Sequence, residues 1–401
     1  MEQGLPSLPN GWHKKQLGDV VKLSQGTQVP VGDQYLEQED GLIRFLRISD
    51  FVRSDEPPRY ILNPGSQYLV ETDDICMIRY GDAGRAVTGL AGALANNLFK
   101  ISPIESLLKR FLFLQLCSPR CVDYLRAANN SSTMPAISFK AVNAMEVSVA
   151  PLDEQKRIVE KLDALLTRID AALEHLQESV TLADALYASL LDQAFNPKSP
   201  SSNEDGTNQL PNGWRKVPLG TIVELSQGAQ IPVGDQFVEQ DEGFIRFLRI
   251  SDFVRYDEPP RYILYPGPQY IVQEDDVCMI RYGDAGRAVT GLAGALANNL
   301  FKISPNEMLS KRFLFLQLQS PRCVEYLRAS NNSSTMPAIS FKAVNAMEFN
   351  LPPLDEQQQI IEKLNNANKL YLALKGLFEN KIRYFNDLKA SILDSAFKGE
   401  L

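Results

Sequence analysis

Few residues in this 401-residue chain have the types and spacing that covalent chemistry needs. Its two histidines, His13 and His175, are the first acid–base or metal candidates, because imidazole titrates near neutrality. Cys117 and Cys121 stand four apart, as half of a zinc site would. Residues 81–92 are rich in glycine, but they carry neither the GxxxxGK[ST] phosphate loop nor the GxGxxG turn that admits a dinucleotide. Glu56-Pro57-Pro58-Arg59 is the nearest approach to the Asn/Asp-Pro-Pro-aromatic tetrapeptide of amino-methyltransferases, and it ends in a base instead of a ring. Glu154, Gln155 and Lys156 resemble part of a nuclease motif.

The chain supplies its own test of these candidates. LPNGW at residues 8–12 recurs at 210–214, FLRISDFVR starts at Phe45 and Phe247, and RYGDAGRAVTGLAGALANNLFKISP starts at Arg79 and Arg281. NNSSTMPAISFKAVNAME starts at Asn129 and Asn331, and LDEQ at Leu152 and Leu354, always with an offset of 202. A site that both copies use should appear in both. His13 aligns with Arg215, His175 with Leu377, Cys117 with Gln319 and Lys156 with Gln358. The expectation is therefore a chain without catalytic residues or a metal site.

Polar and basic groups survive the test. Arg47, Arg53, Arg59, Arg79, Arg85 and Lys140 recur as Arg249, Arg255, Arg261, Arg281, Arg287 and Lys342. Arginine suits forked hydrogen bonding to guanine or phosphate, and Asn or Gln suit adenine. Two segments concentrate such groups. Arg79, Tyr80 and Arg85, with Arg281, Tyr282 and Arg287, lie beside flexible glycines. Asn129, Asn130, Ser131 and Ser132, with Asn331, Asn332, Ser333 and Ser334, form a dense hydrogen-bonding loop. These residues are the expected DNA contacts, and for any single arginine the competing role is a carboxylate clamp.

Charge does not advertise that role. The chain holds 41 Lys plus Arg against 49 Asp plus Glu, a formal −8. It is −1 over residues 1–150, −4 over 151–202, −3 over 203–352 and 0 over 353–401. Any DNA-binding face must then be a local patch. A hydrophobic content of 44% argues for folded domains, and five cysteines are too few for a disulfide framework in so long a chain. Neither a membrane-length apolar run nor a signal peptide is visible, which points to a cytoplasmic protein.

The elements that must position these groups follow from the unevenness of the repeat. Residues 8–146 differ from 210–348 at 26 of 139 positions, whereas 152–197 match 354–399 at only 16 of 46. Short β-like runs at 20–23, 43–48, 75–79 and 147–149, and a helical stretch over 108–128 broken at Ser118 and Pro119, predict an α+β, sheet-containing unit. Apolar spacing of four and three predicts a long helix after each unit, with a coiled-coil seam. The expected seam is Ile158, Leu162, Leu165, Ile169, Leu176, Leu186 and Leu190 in the first helix. In the second it is Ile360, Leu364, Tyr371, Leu374, Phe378, Phe385, Leu388 and Ile392. The expected division is thus a globular domain at 1–151, a helix at 152–197, a linker at 198–209, a second globular domain at 210–353 and a second helix at 354–398.

The LPNGW entries and the junctions VAPLDEQKRIVEKLDAL and LPPLDEQQQIIEKLN, each leading from a globular unit into a long helix, resemble the specificity subunit of type I restriction-modification systems. The resemblance spans essentially the whole chain. It implies two target recognition domains separated by an antiparallel two-helix coiled coil, and no reaction performed by the chain itself. It also implies double-stranded DNA as ligand, two modification (methyltransferase) subunits carrying S-adenosylmethionine, and restriction/translocase subunits using ATP and Mg. Family members generally carry two dissimilar recognition domains, so near-identical ones should read inverted halves of a bipartite target with an adenine in each. The differences Ser54/Tyr256, Asn63/Tyr265 and Ser66/Pro268 could unbalance the halves if they touch DNA. The contrasting expectation is a coiled-coil adaptor whose duplicated domains bind protein and show no salt-sensitive affinity for DNA.

Overall fold

The computed structural model describes residues 9–53, 56–128, 136–197, 210–255, 258–330 and 338–401. The expected linker at 198–209 lies outside them. The first half runs β1 (His13–Gln16), β2 (Val21–Gln25), β3 (Leu42–Leu46), α1 (Ile48–Val52), β4 (Arg59–Leu62), β5 (Leu69–Val70), β6 (Ile75–Ile78), β7 (Ala86–Val87), β8 (Gly92–Leu94) and β9 (Leu98–Pro103). It continues through α2 (Lys109–Leu116), α3 (Pro119–Ala127), α4 (Phe139–Asn143) and β10 (Glu146–Val149) into α5 (Leu152–Phe195). The second half repeats the series from β11 (Arg215–Pro218) to β20 (Glu348–Leu351), with α6 (Ile250–Val254), α7 (Lys311–Leu318), α8 (Pro321–Ala329) and α9 (Phe341–Asn345), and closes on α10 (Leu354–Lys398). Both halves are α+β.

Each globular part holds two four-stranded sheets and a two-stranded ribbon. One sheet has the order β2-β9-β6-β7 and is antiparallel; the other has the order β4-β3-β8-β5, with β3 and β8 parallel. β6 is buried along its whole length, and its side chains alternate between two cores. Ile75 and Met77 join Phe99, Phe111 and Leu112 against the helices, while Cys76 and Ile78 join Phe45, Leu46 and Leu94 between the sheets. Period-two alternation explains how four consecutive apolar residues serve two layers. The break between α2 and α3 also has a local cause: Ser118 stands at the α3 N-cap and Pro119 at its first turn, where a missing amide hydrogen costs nothing.

The chain divides into two compact units, and the division cuts across both long helices. Unit 1 comprises residues 1–177 and 380–401, and unit 2 comprises 178–379. In unit 1 the last turns of α10 complete the first domain's core, with Leu393, Ala396 and Phe397 buried and Phe397 edge-on to Phe111 at 5.2 Å. Unit 2 is built alike: Leu191 and Phe195 of α5 enter the second core, and Phe195 meets Phe313 at 5.1 Å. Within each unit the two helix segments run antiparallel. Asp170 pairs with Lys389 at 2.7 Å while Arg157 lies against Leu401 in unit 1; in unit 2 Asp184 pairs with Lys375 at 2.9 Å and Tyr187 stacks on Tyr371 at 4.6 Å.

The seam departs from the expected one at several positions, with Leu166 and Ile361 buried beside the half-buried Leu165 and Ile360. Leu186, Leu190 and Leu374 are exposed, at 63%, 38% and 48%, and the buried line of α5 passes through Val180 and Leu191 instead. The cause is a polar residue at a seam position. Asp184 accepts hydrogen bonds from Tyr371 at 2.7 Å and from Lys375, so the seam runs 176, 180, 184, 187, 191 with two successive steps of four. A hydrophobic pattern search passes over an aspartate and slides onto the neighbouring leucines. Of the remaining seam residues, Ile158, Leu162, Ile169 and Leu364 are buried, and Leu165, Leu176, Ile360, Tyr371, Phe378, Phe385, Leu388 and Ile392 are half-buried.

Candidate nucleic-acid interface

β6 delivers Arg79 and Tyr80 to the sheet edge, and the chain then turns through Gly81–Gly84 into β7. Gly81 and Gly84 take φ of 77° and 93°, in the left-handed region that favours glycine. Arg79 is held from several sides. Its amide donates to Asn97 O at 2.9 Å, its carbonyl accepts from Ile137 N at 3.0 Å, and its guanidinium lies 5.2 Å from the Tyr80 ring centroid. One guanidinium nitrogen donates to Gln25 Oε1 at 3.0 Å, and Gln25 in turn donates to the carbonyl of Asn96. Asn96 Nδ2 donates to Gln28 Oε1 at 3.3 Å. Side chains separated by up to 71 residues in sequence thus form one polar line, Arg79–Gln25–Asn96–Gln28. The second domain repeats its inner part, with Arg281 donating to Gln227 at 2.7 Å and Gln227 to Asn298 O.

Gly26 allows this line to form. A Cβ there would come within 2.1 Å of the Ala95 carbonyl oxygen, and Gly228 faces Ala297 in the same way. Without the glycine, β2 could not approach the turn after β8 closely enough for Gln25 to reach Asn96.

Beside the line, the 81–86 turn and the α2–α3 pair enclose a cleft of about 550 Å³, matched by one of about 570 Å³ in the second domain. Arg85 and Arg126 are on its wall, with Val122 and Leu125. Each arginine is also paired with the aspartate three residues before it, Arg85 with Asp82 at 3.1 Å and Arg126 with Asp123 at 3.6 Å, both in solvent-screened positions. Cys117 is on the same wall where Gln319 lines the copy, and burial pushes its thiol up to about 11, which disfavours a thiolate nucleophile.

The other expected contacts fall elsewhere. Arg47 is the N-cap of α1 and is engaged on all sides, by Asp50 at 3.0 Å, the Pro57 carbonyl at 2.9 Å and Glu56 at 3.6 Å. Arg249 repeats this with Asp252, Pro259 and Glu258. These two are carboxylate clamps that tie α1 to the following loop. Arg53 and Arg255 are exposed and loosely paired with Glu56 and Glu258. Arg59 and Arg261 begin β4 and its copy, opposite Phe45 and Phe247, and Lys140 and Lys342 are exposed on α4 and α9. Tyr80 and Tyr282 bridge to Ala136 and Ala338. Asn129, Asn130, Ser131, Ser132, Asn331, Asn332, Ser333 and Ser334 lie outside the described residues, as do Ser54 and Tyr256. Asn63 caps the backbone of Gly65 at 2.9 Å, whereas Tyr265 is exposed.

The structure therefore gathers Arg79, Tyr80 and Arg85 with three amides that sequence reading did not select. The signal for Gln25, Gln28 and Asn96 was their identity in both copies and the suitability of amides for adenine. Their scatter along the chain hid the cluster. No group of three or more His, Cys, Asp or Glu among the described residues could hold a metal, and none of the described helices is long and apolar enough to cross a membrane.

Comparison with known proteins follows the same outline. A family model described as the type I restriction modification DNA specificity domain matches residues 9–182 and again 211–382. The chain is 23% identical over 424 residues to the type I restriction enzyme EcoBI specificity subunit of Escherichia coli, covering 99% of this chain and 88% of that protein. It is 22% identical to the MjaVIII specificity subunit of Methanocaldococcus jannaschii, over 90% of this chain and 87% of the relative. Among solved structures it resembles a chain from work on complex assembly and conformational transition of the type I R-M system, with a TM-score of 0.74 at 23% identity over 98% of this chain and all of that one. The HsdS subunit from Thermoanaerobacter tengcongensis aligns with a TM-score of 0.51 at 23% identity, both chains being covered completely.

Proposed function

Because this chain belongs to the family of type I restriction-modification DNA specificity subunits, we propose that its two domains read the two halves of a bipartite DNA target as inverted copies of one short sequence. The chain is the recognition component and not the catalytic one. The observation that carries the reading is the duplication of the polar edge: Arg79, Tyr80, Arg85, Gln25, Gln28 and Asn96 are identical to Arg281, Tyr282, Arg287, Gln227, Gln230 and Asn298. The surrounding helices share only 16 of 46 residues. Identical donor sets on identical scaffolds should recognise identical bases.

On this reading Arg79 and Arg85 with their copies contact bases or phosphates, and Arg53, Arg59 and Lys140 with theirs add phosphate contacts. Asn129, Asn130, Ser131 and Ser132 and their copies remain proposed DNA contacts. Arg47 and Arg249 support the edge through the clamp around α1. The helix pair sets the spacing of the half-sites and docks two methyltransferase subunits. The exposed leucines 182, 186, 190, 370, 374 and 377 of unit 2 suit a helical partner. S-adenosylmethionine then resides in the modification subunits, and ATP and Mg in the restriction subunits. All of this chemistry takes place in the cytoplasm, where the DNA is.

Single-molecule methylation mapping of genomic DNA tests the proposal. Cells expressing this chain with its modification subunit should gain a methyladenine motif of inverted halves around a fixed spacer, absent from cells lacking the chain. Unequal halves would overturn the inverted-repeat reading. Absence of any chain-dependent methylation beside an active modification subunit would overturn the DNA-recognition role.

A further inference from the structure

The polar line from Arg79 ends at Gln28, and the chain then makes a tight turn whose apolar tip has no folding role. Val31 is 77% exposed and Val233 82%. One exposed valine carries no meaning by itself. This turn, however, also exposes Tyr35 and Leu36 in the first domain and Phe237 and Val238 in the second. Phe237 packs edge-on to Phe244 at 4.8 Å, but the change from Leu36 to Val238 keeps an apolar side chain at 57% and 53% exposure, and the valine at the tip is the same in both copies.

The turn is also internally hydrogen-bonded. Asp33 N donates to Pro30 O at 3.0 Å, Gln34 N to Val31 O at 3.2 Å, and Gln34 Nε2 to Val29 O at 2.9 Å. Gln236 holds Ile231 O at 3.0 Å in the copy. A Cβ at Gly32 or Gly234 would meet nothing within 4 Å, so the tip is open on that side. An apolar side chain is thus fixed three residues beyond an exposed amide, which is itself bonded to Asn96.

We propose that Gln28, Asn96 and Val31, with Gln230, Asn298 and Val233, form a reading edge for an A·T base pair in the major groove. The assignment rests on the DNA-recognition reading above. In the first domain the two bonded carboxamides still offer both a donor and an acceptor, the pair that the N7 and N6 edge of adenine requires, and Gln230 and Asn298 carry the same groups in the second. The valine is placed for the C5-methyl group of the paired thymine, the apolar mark that distinguishes A·T from G·C in that groove. Gln25 acts as a positioning residue that holds the Asn96 turn.

The test uses the full chain assembled with its modification subunit and a duplex carrying the wild-type methylation motif. Each thymine is replaced in turn by uracil, which lacks only the methyl group. Wild-type complex should lose affinity several-fold at one thymine in each half, and the Val31→Ser/Val233→Ser complex should bind the thymine and uracil duplexes equally. Gln28→Ala with Gln230→Ala should relax the mapped motif at one position per half, by about 5- to 150-fold in discrimination, with an unchanged salt slope. Equal loss on uracil substitution in wild type and the valine variant overturns the valine assignment, and an unchanged motif in the glutamine variant overturns the amide assignment. Loss of assembly with the modification subunit in the valine variant would make the turn a protein-docking surface and overturn the proposal. Failure of the wild-type complex to bind any duplex would instead remove the DNA-recognition reading on which it rests.

Discussion

The side-chain oxygen of Gln155 accepts a hydrogen bond from the backbone amide of Leu108 at 2.8 Å, which fastens the first turn of α5 to the entry of α2. Its amide nitrogen donates to the carbonyls of Ser106 at 2.9 Å and Ala150 at 2.8 Å. Gln357 repeats all three bonds, from Ser310 N and to Met308 O and Pro352 O. Every partner is backbone, so residues 106 and 108 could diverge to Met308 and Ser310 without disturbing the joint. Both glutamines are fully buried, which explains why LDEQ persists inside a helix that otherwise changed.

Gln155→Leu fills the same volume but leaves the buried Ala150 carbonyl, and the part-buried Leu108 amide and Ser106 carbonyl bonds, without this partner. It should cost about 3 kcal/mol and lower the unfolding midpoint by several degrees. Hydrogen exchange should show the loss at residues 106–108 and 150–155, with 308–310 unaffected.

Asp74 is buried with Lys100 and Lys109, at 2.5 and 2.7 Å, and Asp276 sits likewise with Lys302 and Lys311. Burial acts to raise the Asp74 carboxyl, but hydrogen bonds from the Glu71 amide, Lys100 and Lys109 outweigh it and hold the group below its ordinary value. A lowered carboxylate contributes stability that is present above its unfolded value, about 3.9, and is lost as pH falls through the folded one. Wild type should therefore lose stability on acidification below about pH 4 to 5. Asp74→Asn with Asp276→Asn should be less stable at neutral pH and should show a flatter acid limb in urea titrations at stepped pH.

The polar seam of unit 2 should set register more than stability. Hydrogen bonds from Lys375 and then Tyr371 keep the Asp184 carboxyl below its ordinary value, yet the group is near the surface. Asp184→Leu with Lys375→Leu should leave the melting temperature unchanged or raised, because a solvent-screened ion pair contributes little and apolar seam contacts can replace it. Spin labels at Ser189 and Lys369 should then report a broadened distance distribution, as expected when a register-setting polar pair is lost. An unbroadened distribution would show that Tyr187 and Tyr371 suffice.

Phe397 and Phe195 are core residues contributed from the far ends of the helices. Phe397→Ala should cost about 3 to 5 kcal/mol and selectively expose Phe111 and the first domain's strands to hydrogen exchange. Phe195→Ala should do the same around Phe313 in the second domain. Equal effects of either substitution on both domains would contradict the division of the cores.

The repeat, the α+β character and the long helices were legible because they are written in local pattern: a fixed offset of 202, short β-branched runs between glycine and proline turns, and apolar steps of four and three. That neither histidine recurs, and that Cys117 of the Cys117/Cys121 pair becomes Gln319, was legible for the same reason. Ile158, Leu162 and Ile169 of the expected seam are buried, but Leu166 is buried where Leu165 was expected, and the pattern shifts further where Asp184 takes a seam position.

The amino-acid sequence alone determined that two near-identical globular units are joined to two unequal helices, because identity between copies is a property of the chain and needs no coordinates. Tertiary structure decided which groups act together. Gln25, Gln28, Asn96 and Arg79 meet only because β2, β6 and β9 pair in one sheet and Gly26 lets the backbone of Ala95 approach. It also decided that Arg47 spends its hydrogen bonds on Asp50 and Pro57. Helix patterns and repeats are fixed by neighbours in sequence, whereas a side chain's partners are fixed by which distant strands the hydrophobic core brings into register.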